Sequence, residues 1–189
     1  MKLTELLSVV EGQIMVTGPQ RSGTTIAALI LAQELGYPCY LEEHYGIHDL
    51  KRFFGIYSAT KFVVQAPALS AYANLIPGSV VFMMRPINEI VRSQRRIGWG
   101  EENIEKAKYF SDNLLPIAAF KYKMWDQYQK HLPNRFELEY HSLEGHPLWV
   151  DETLRVNFQV RQTHCTASDI PLPPMPSEPL PKPIVRGRI

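Results

Sequence analysis

Residues 13–25, Gln-Ile-Met-Val-Thr-Gly-Pro-Gln-Arg-Ser-Gly-Thr-Thr, place two glycines and an arginine between one apolar run and the next, Ile26-Ala-Ala-Leu-Ile-Leu-Ala. Glycines at 18 and 23, after a strand and before a helix, give the spacing of a loop whose backbone N–H groups cradle a phosphate at a helix N-terminus. The common form, G-x-x-x-x-G-K-[ST], carries a lysine where this chain has Thr24; the positive charge sits inside the loop, at Arg21. A second feature is Arg85, at the end of the apolar run 79–84, with Ser93 eight positions later. On a helix that interval is about two turns, so both side chains stand near one face. A metal-dependent phosphoryl-transfer site needs an aspartate at such a strand end. An arginine there suits direct binding of phosphate or sulfate better than a Mg²⁺-bridged triphosphate. A third feature is Glu42-Glu43-His44, which can supply a base. Two adjacent, partly buried carboxylates each disfavour the other's ionisation, which moves one of them towards neutrality.

These residues need elements to hold them. The pattern predicts a short helix over 2–11, strands over 13–17, 39–41, 61–66, 79–84 and 135–140, and an amphipathic helix leaving the loop and ending near Leu35. Gly36 suits its C-terminal stop, with Pro38 beyond. Further helices are expected over 48–56 and 69–75, from Pro86 onward, and near 151–159. Two helical pieces are expected in 101–131, with Pro116 as the break. Strands alternating with helices imply an α/β, three-layer fold with a mostly parallel central sheet of about five strands. In such a sheet ligands gather at the carboxyl ends of the strands, where residues 18–25, 42–44, 65–67 and 85–93 all fall.

The chain of 189 residues, with 45% hydrophobic and 21% charged side chains, has the makeup of one soluble domain over 1–169. Its net charge of +1 gives no global field for nucleic acid or an anionic membrane. Cys39 and Cys165 have no metal-type spacing, and their sparseness suits the reducing cytoplasm. No long apolar leader precedes the first strand, and no run is long enough to span a bilayer. Seven prolines between 171 and 183 make 170–189 an extended, polyproline-like tail, either inert or a docking and self-association segment.

Taken together, Pro19-Gln-Arg-Ser-Gly-Thr-Thr25 and the Arg85/Ser93 pair resemble the sulfotransferases. In that family the loop P-x-[RK]-S-G-T-T holds the 5′-phosphosulfate of 3′-phosphoadenosine-5′-phosphosulfate (PAPS), and an arginine and serine eight apart grip the 3′-phosphate. The resemblance covers roughly residues 12–160 and implies a P-loop-type fold. It also implies a PAPS cradle from Pro19, Gln20, Arg21, Ser22, Gly23, Thr24 and Thr25, a clamp from Arg85 and Ser93, and no required metal. The implied reaction is sulfonate transfer to the hydroxyl of a small-molecule, saccharide or protein acceptor. Arg21 would supply charge and Glu43 the base, followed by His44 and then Glu42, since a Glu-Glu pair near this distance serves some members. Two departures stand out: Gln65 replaces a lysine that often helps at the sulfonate, and His141-Ser142 replace an acidic pair after the last strand.

Other readings of the same residues remain open at this stage. A small nucleotide or metabolite kinase with an atypical loop is one, and a non-catalytic nucleotide-binding or assembly protein is another. Residues 42–44 can be a plain solvated loop. His44 and His48, with Glu43, have a metal-like interval that Gly46 undermines, and no fourth ligand is evident. Arg92, Arg95, Arg96 and Trp99 read either as a basic wall for acceptor or adenine or as a solvated helix face. His131, His141, His146 and His164 read as structural or surface residues, and Met83, Met84, Tyr122, Trp125 and Tyr128 as packing.

Overall fold

The computed structural model describes residues 1–41, 61–66, 78–105, 107–108, 114–132 and 134–149. The expected helices over 48–56, 69–75 and 151–159, the Glu42-Glu43-His44 segment and the 170–189 tail all lie outside them. The described elements are α1 (Leu3–Leu7), β1 (Gln13–Thr17), α2 (Thr24–Leu35), β2 (Cys39–Tyr40), β3 (Phe62–Gln65), β4 (Ser79–Met84), α3 (Ile87–Arg96) and α4 (Glu101–Ile104). They continue through β5 (Ala107–Lys108), β6 (Leu114–Leu115), α5 (Ile117–Tyr128) and β7 (Arg135–Glu139), with short 3-10 turns at Gln129–His131 and Tyr140–Leu143.

Five strands form one sheet in the order β2-β3-β1-β4-β7, and every pairing in it is parallel. The α/β expectation holds. Period-two alternation sends β1 side chains to both faces. Ile14 and Val16 join Val63, Val81, Met83 and Leu138 under α1 and α2. Met15 turns the other way, with Phe62, Val64, Val80 and Phe82, against Trp125 and Leu132. Trp125 stacks on Phe82 with ring centroids 4.7 Å apart and donates its indole N–H to Glu137 Oε1 at 2.7 Å. That pairing fixes α5 on the sheet.

Two elements differ from the sequence reading. Helix α2 is not amphipathic: Ile26 through Ala32 are all buried. Its outer face is covered because Leu3, Leu6 and Val10 on one side and Tyr140 and Leu143 on the other share its core. Gly36 ends it in a left-handed conformation, as expected. The second difference lies in 101–131, where the first helical piece is only Glu101–Ile104. An antiparallel pair, Ala107–Lys108 with Leu114–Leu115, follows it. Pro116 then starts α5 as its N-cap residue instead of breaking a helix, because its missing N–H costs nothing at that position.

Candidate anion-binding site at the end of β1 and β4

Strand β1 is flanked by β3 on one side and β4 on the other, so the chain leaves it in one direction and returns past it in the other. Such a reversal opens a crevice at the carboxyl ends of the strands. The 18–23 loop follows β1, and Arg85 follows β4, at that crevice.

The loop is tightly built. Ser22 N–H donates to Pro19 C=O at 3.0 Å. Gly18 and Gly23 have positive φ, +147° and +98°, and Arg21 is the one described non-glycine with positive φ, +73°. A Cβ on Gly18 would stand 2.8 Å from Ser22 Oγ, and one on Gly23 would stand 2.5 Å from the Tyr140 ring. Glycine is required at both. The Ser22 side chain is fully buried, and its Oγ has no hydrogen-bond partner among the described residues. The first turn of α2 carries no side-chain cap, which leaves its N–H groups facing the loop.

The residues that the sequence singled out converge here. Arg21 Nε donates to Ser93 Oγ at 3.0 Å, and Arg85 Nη1 donates to Arg21 C=O at 2.8 Å. Loop, strand end and helix α3 thus form one hydrogen-bonded cluster. Gln20 is held by Gln94 Nε2, which donates to its C=O at 3.2 Å, and by Lys121 Nζ, which donates to its Oε1 at 2.6 Å. Thr24 Oγ1 accepts from Gln65 Nε2 at 3.3 Å. That bond occupies an acceptor site of the hydroxyl and leaves its proton free to donate. Thr25 lies half-buried in the first turn of α2. The candidate bases Glu43, His44 and Glu42 lie outside the described residues, and so does His48.

Several supporting residues have no signal in the sequence. Tyr122, assigned there to packing, accepts from Arg85 N–H at 2.8 Å and donates to Arg85 C=O at 2.6 Å. Burial pushes its phenol pKa upward, which keeps the proton needed for that donation; the Arg85 backbone bond only partly offsets the shift. The Arg85 guanidinium is nearly buried, lies 4.0 Å from the centroid of the Tyr140 ring and pairs with Glu89 Oε2 at 3.2 Å. Glu89 Oε1 in turn meets His141 Nε2 at 3.2 Å, while His141 Nδ1 meets Glu144 Oε1 at 2.6 Å. The Glu144 contact, with help from Glu89, raises the His141 pKa. For Glu89 partial burial acts against ionisation, but the hydrogen bonds from Arg85 and His141 together prevail and lower its pKa. His141 therefore belongs to the wall of the site, a role hidden because Glu89 is 52 residues away.

Chemically, the cluster offers helix N–H groups without a side-chain cap and a buried hydroxyl with no partner among the described residues, together with the guanidinium groups of Arg21 and Arg85. Those groups fit a phosphate or sulfate oxyanion. No family model matches this chain, and no curated protein matches its sequence.

Proposed function

We propose that this protein binds a 3′-phosphorylated adenine nucleotide at the 18–25 loop and transfers sulfonate from PAPS to an acceptor hydroxyl, working in the cytoplasm without a required metal. One observation carries the reading: Arg21, Ser93 and Arg85 form a single hydrogen-bonded cluster beside the uncapped start of α2. Two anionic groups of one nucleotide can then be held within one crevice. When bound, PAPS supplies the sulfonate, whose bond to the 5′-phosphate oxygen breaks on transfer. In this reading the loop N–H groups, the Ser22, Thr24 and Thr25 hydroxyls and the Arg21 guanidinium bind the 5′ end and disperse its charge. Arg85 and Ser93 serve the 3′-phosphate. Glu43 is the base in this reading, on the strength of the sequence alone, and takes the acceptor's hydroxyl proton.

Calorimetric titration with 3′-phosphoadenosine-5′-phosphate and with ATP–Mg²⁺ tests the assignment. The bisphosphate should bind in the absence of metal and more tightly than ATP–Mg²⁺. Arg85→Lys keeps the charge but loses the planar fork that serves Arg21 C=O, Glu89 and the Tyr140 face together. It should therefore remove most of the preference for the 3′-phosphate. Tight ATP–Mg²⁺ binding with no such preference would move the protein to the kinase class.

A further inference from the structure

Behind the Arg85 guanidinium stands a chain of three charged groups. The two oxygens of Glu89 are divided: Oε2 pairs with Arg85 Nε at 3.2 Å, and Oε1 meets His141 Nε2 at 3.2 Å. The other ring nitrogen of His141, Nδ1, meets Glu144 Oε1 at 2.6 Å. We propose that His141 is a positioning residue of this site: with both ring nitrogens protonated it shares Glu89 with Arg85, and so leaves more of the Arg85 charge to a phosphate. The proposal rests on the nucleotide reading above and gives the grip on the 3′-phosphate a dependence on pH.

Both contacts of the ring need a proton. An imidazolium donates from both nitrogens, one to each carboxylate, whereas a neutral ring has one N–H for two acceptors. The shorter contact, to Glu144, keeps it. The Nε2 lone pair is then turned on Glu89 Oε1, and acceptor against acceptor drives the carboxylate towards its other partner, Arg85. A carboxylate drawn closer competes with a phosphate for the same guanidinium. Exposure favours this path. The His141 side chain is 52% exposed, so its proton exchanges with solvent, while that of Arg85 is 7% exposed, so its charge is weakly screened. The Tyr140 ring fixes the geometry: Arg85 lies 4.0 Å from its centroid, and the His141 ring meets it edge to face at 5.3 Å. Among the described residues, the groups facing the imidazole are Glu89 from α3, Glu144 from the end of the turn after β7, and Tyr140. Arg85 stands behind Glu89. Glu144 first, then Glu89, raise the His141 pKa above 6.5, which brings its titration towards neutral pH.

The test is calorimetric titration of the full chain with 3′-phosphoadenosine-5′-phosphate from about pH 5.5 to 8.5, across the histidine range. It compares the parent with His141→Gln and Glu89→Gln, with thermal unfolding at each pH as the check on folding. Dividing the parent's affinity by a variant's at the same pH cancels the ligand's own protonation. The parent's advantage over His141→Gln should shrink about threefold across this range, the scale of one screened charge. Glu89→Gln should follow the pH trend of His141→Gln, because an amide N–H can face the neutral ring. With adenosine 5′-phosphate, which lacks the 3′-phosphate, the parent-to-variant ratio should stay level. By reciprocity, the His141 titration midpoint read by NMR should rise by about half a pH unit when the bisphosphate is bound. A ratio that stays level with pH for the bisphosphate overturns the proposal and leaves the nucleotide reading intact, since His141 would then only support the turn. The same pH trend with adenosine 5′-phosphate also overturns it, because the effect would not pass through Arg85. A parent protein that binds no bisphosphate removes the nucleotide reading itself, and this proposal with it.

Discussion

Alanine at position 23 meets two obstacles that experiment can separate. Gly23 has φ +98°, a region that costs a non-glycine residue about 1–2 kcal/mol. The added Cβ would also lie 2.5 and 2.6 Å from Cδ2 and Cε2 of Tyr140, where carbon atoms prefer about 3.5–4.0 Å. The ring must yield by about 1 Å, an overpacking cost of about 1–3 kcal/mol. The sum, about 2–5 kcal/mol, is a large share of the roughly 5–15 kcal/mol typical of a domain. Moving the ring also disturbs Arg85, stacked on it at 4.0 Å, so binding of the bisphosphate should weaken with stability. Urea unfolding followed by circular dichroism measures the loss in two backgrounds, the parent and Tyr140→Val. Valine has no atoms at the δ and ε positions, so there Gly23→Ala should cost only the backbone share, about 1–2 kcal/mol. Equal losses in both backgrounds would refute the steric half of the reasoning. A loss below about 0.5 kcal/mol in the valine background would refute the backbone half.

Ser22→Ala should leave the ligand-free protein as stable or up to about 1 kcal/mol more stable, because it removes a buried hydroxyl that has no described partner. The same variant should bind the bisphosphate more weakly, and a stability loss above about 1 kcal/mol in urea would mean that the hydroxyl is satisfied in the free protein. His141→Gln tests the charge chain. His141 has its pKa raised above the ordinary 6.5 by Glu144 first, then Glu89. Its contribution is complete below that ordinary value and disappears as pH rises through the raised one. The melting-temperature difference between parent and variant should therefore be largest near pH 5.5 and vanish at high pH. Being largely exposed, the pair should contribute under about 1 kcal/mol. Glu89, with a lowered pKa, works in the opposite sense: its contribution is present above the ordinary 4.5 and fades as pH falls through the lowered value. A difference that grows towards pH 9 would overturn the His141 assignment.

The five strands of the sheet were legible in the sequence because four are apolar runs bounded by glycine, proline or charge, and the fifth, Arg135–Glu139, alternates apolar with charged residues. The loop was legible because its glycines are local punctuation. Arg85 and Ser93 could be placed together because a helix fixes what an interval of eight means. What escaped were residues whose role depends on a distant partner. Tyr122 acts on the Arg85 backbone 37 residues away, Lys121 on Gln20, and Tyr140 on both Gly23 and Arg85. No local pattern encodes such meetings. The all-round burial of α2 escaped for the same reason, since its outer cover comes from both ends of the described chain. Strands β5 and β6 are two residues each, too short to carry a period.

The parallel order of the sheet also sets the sequence of assembly. The closest pairing in it, Cys39 with Val63, spans 24 residues, and Val80 with Arg135 spans 55. With no hairpin among the five strands, folding must close long loops before any ladder can form, which makes it slow for its size. The 18–23 loop joins neighbours in the chain, but the groups that shape it arrive from positions 85, 93, 94, 121 and 140. It is finished only when the sheet is. A ligand held by that loop has nothing to hold in the folding transition state, so it should act as a brake on unfolding and leave the folding rate almost untouched.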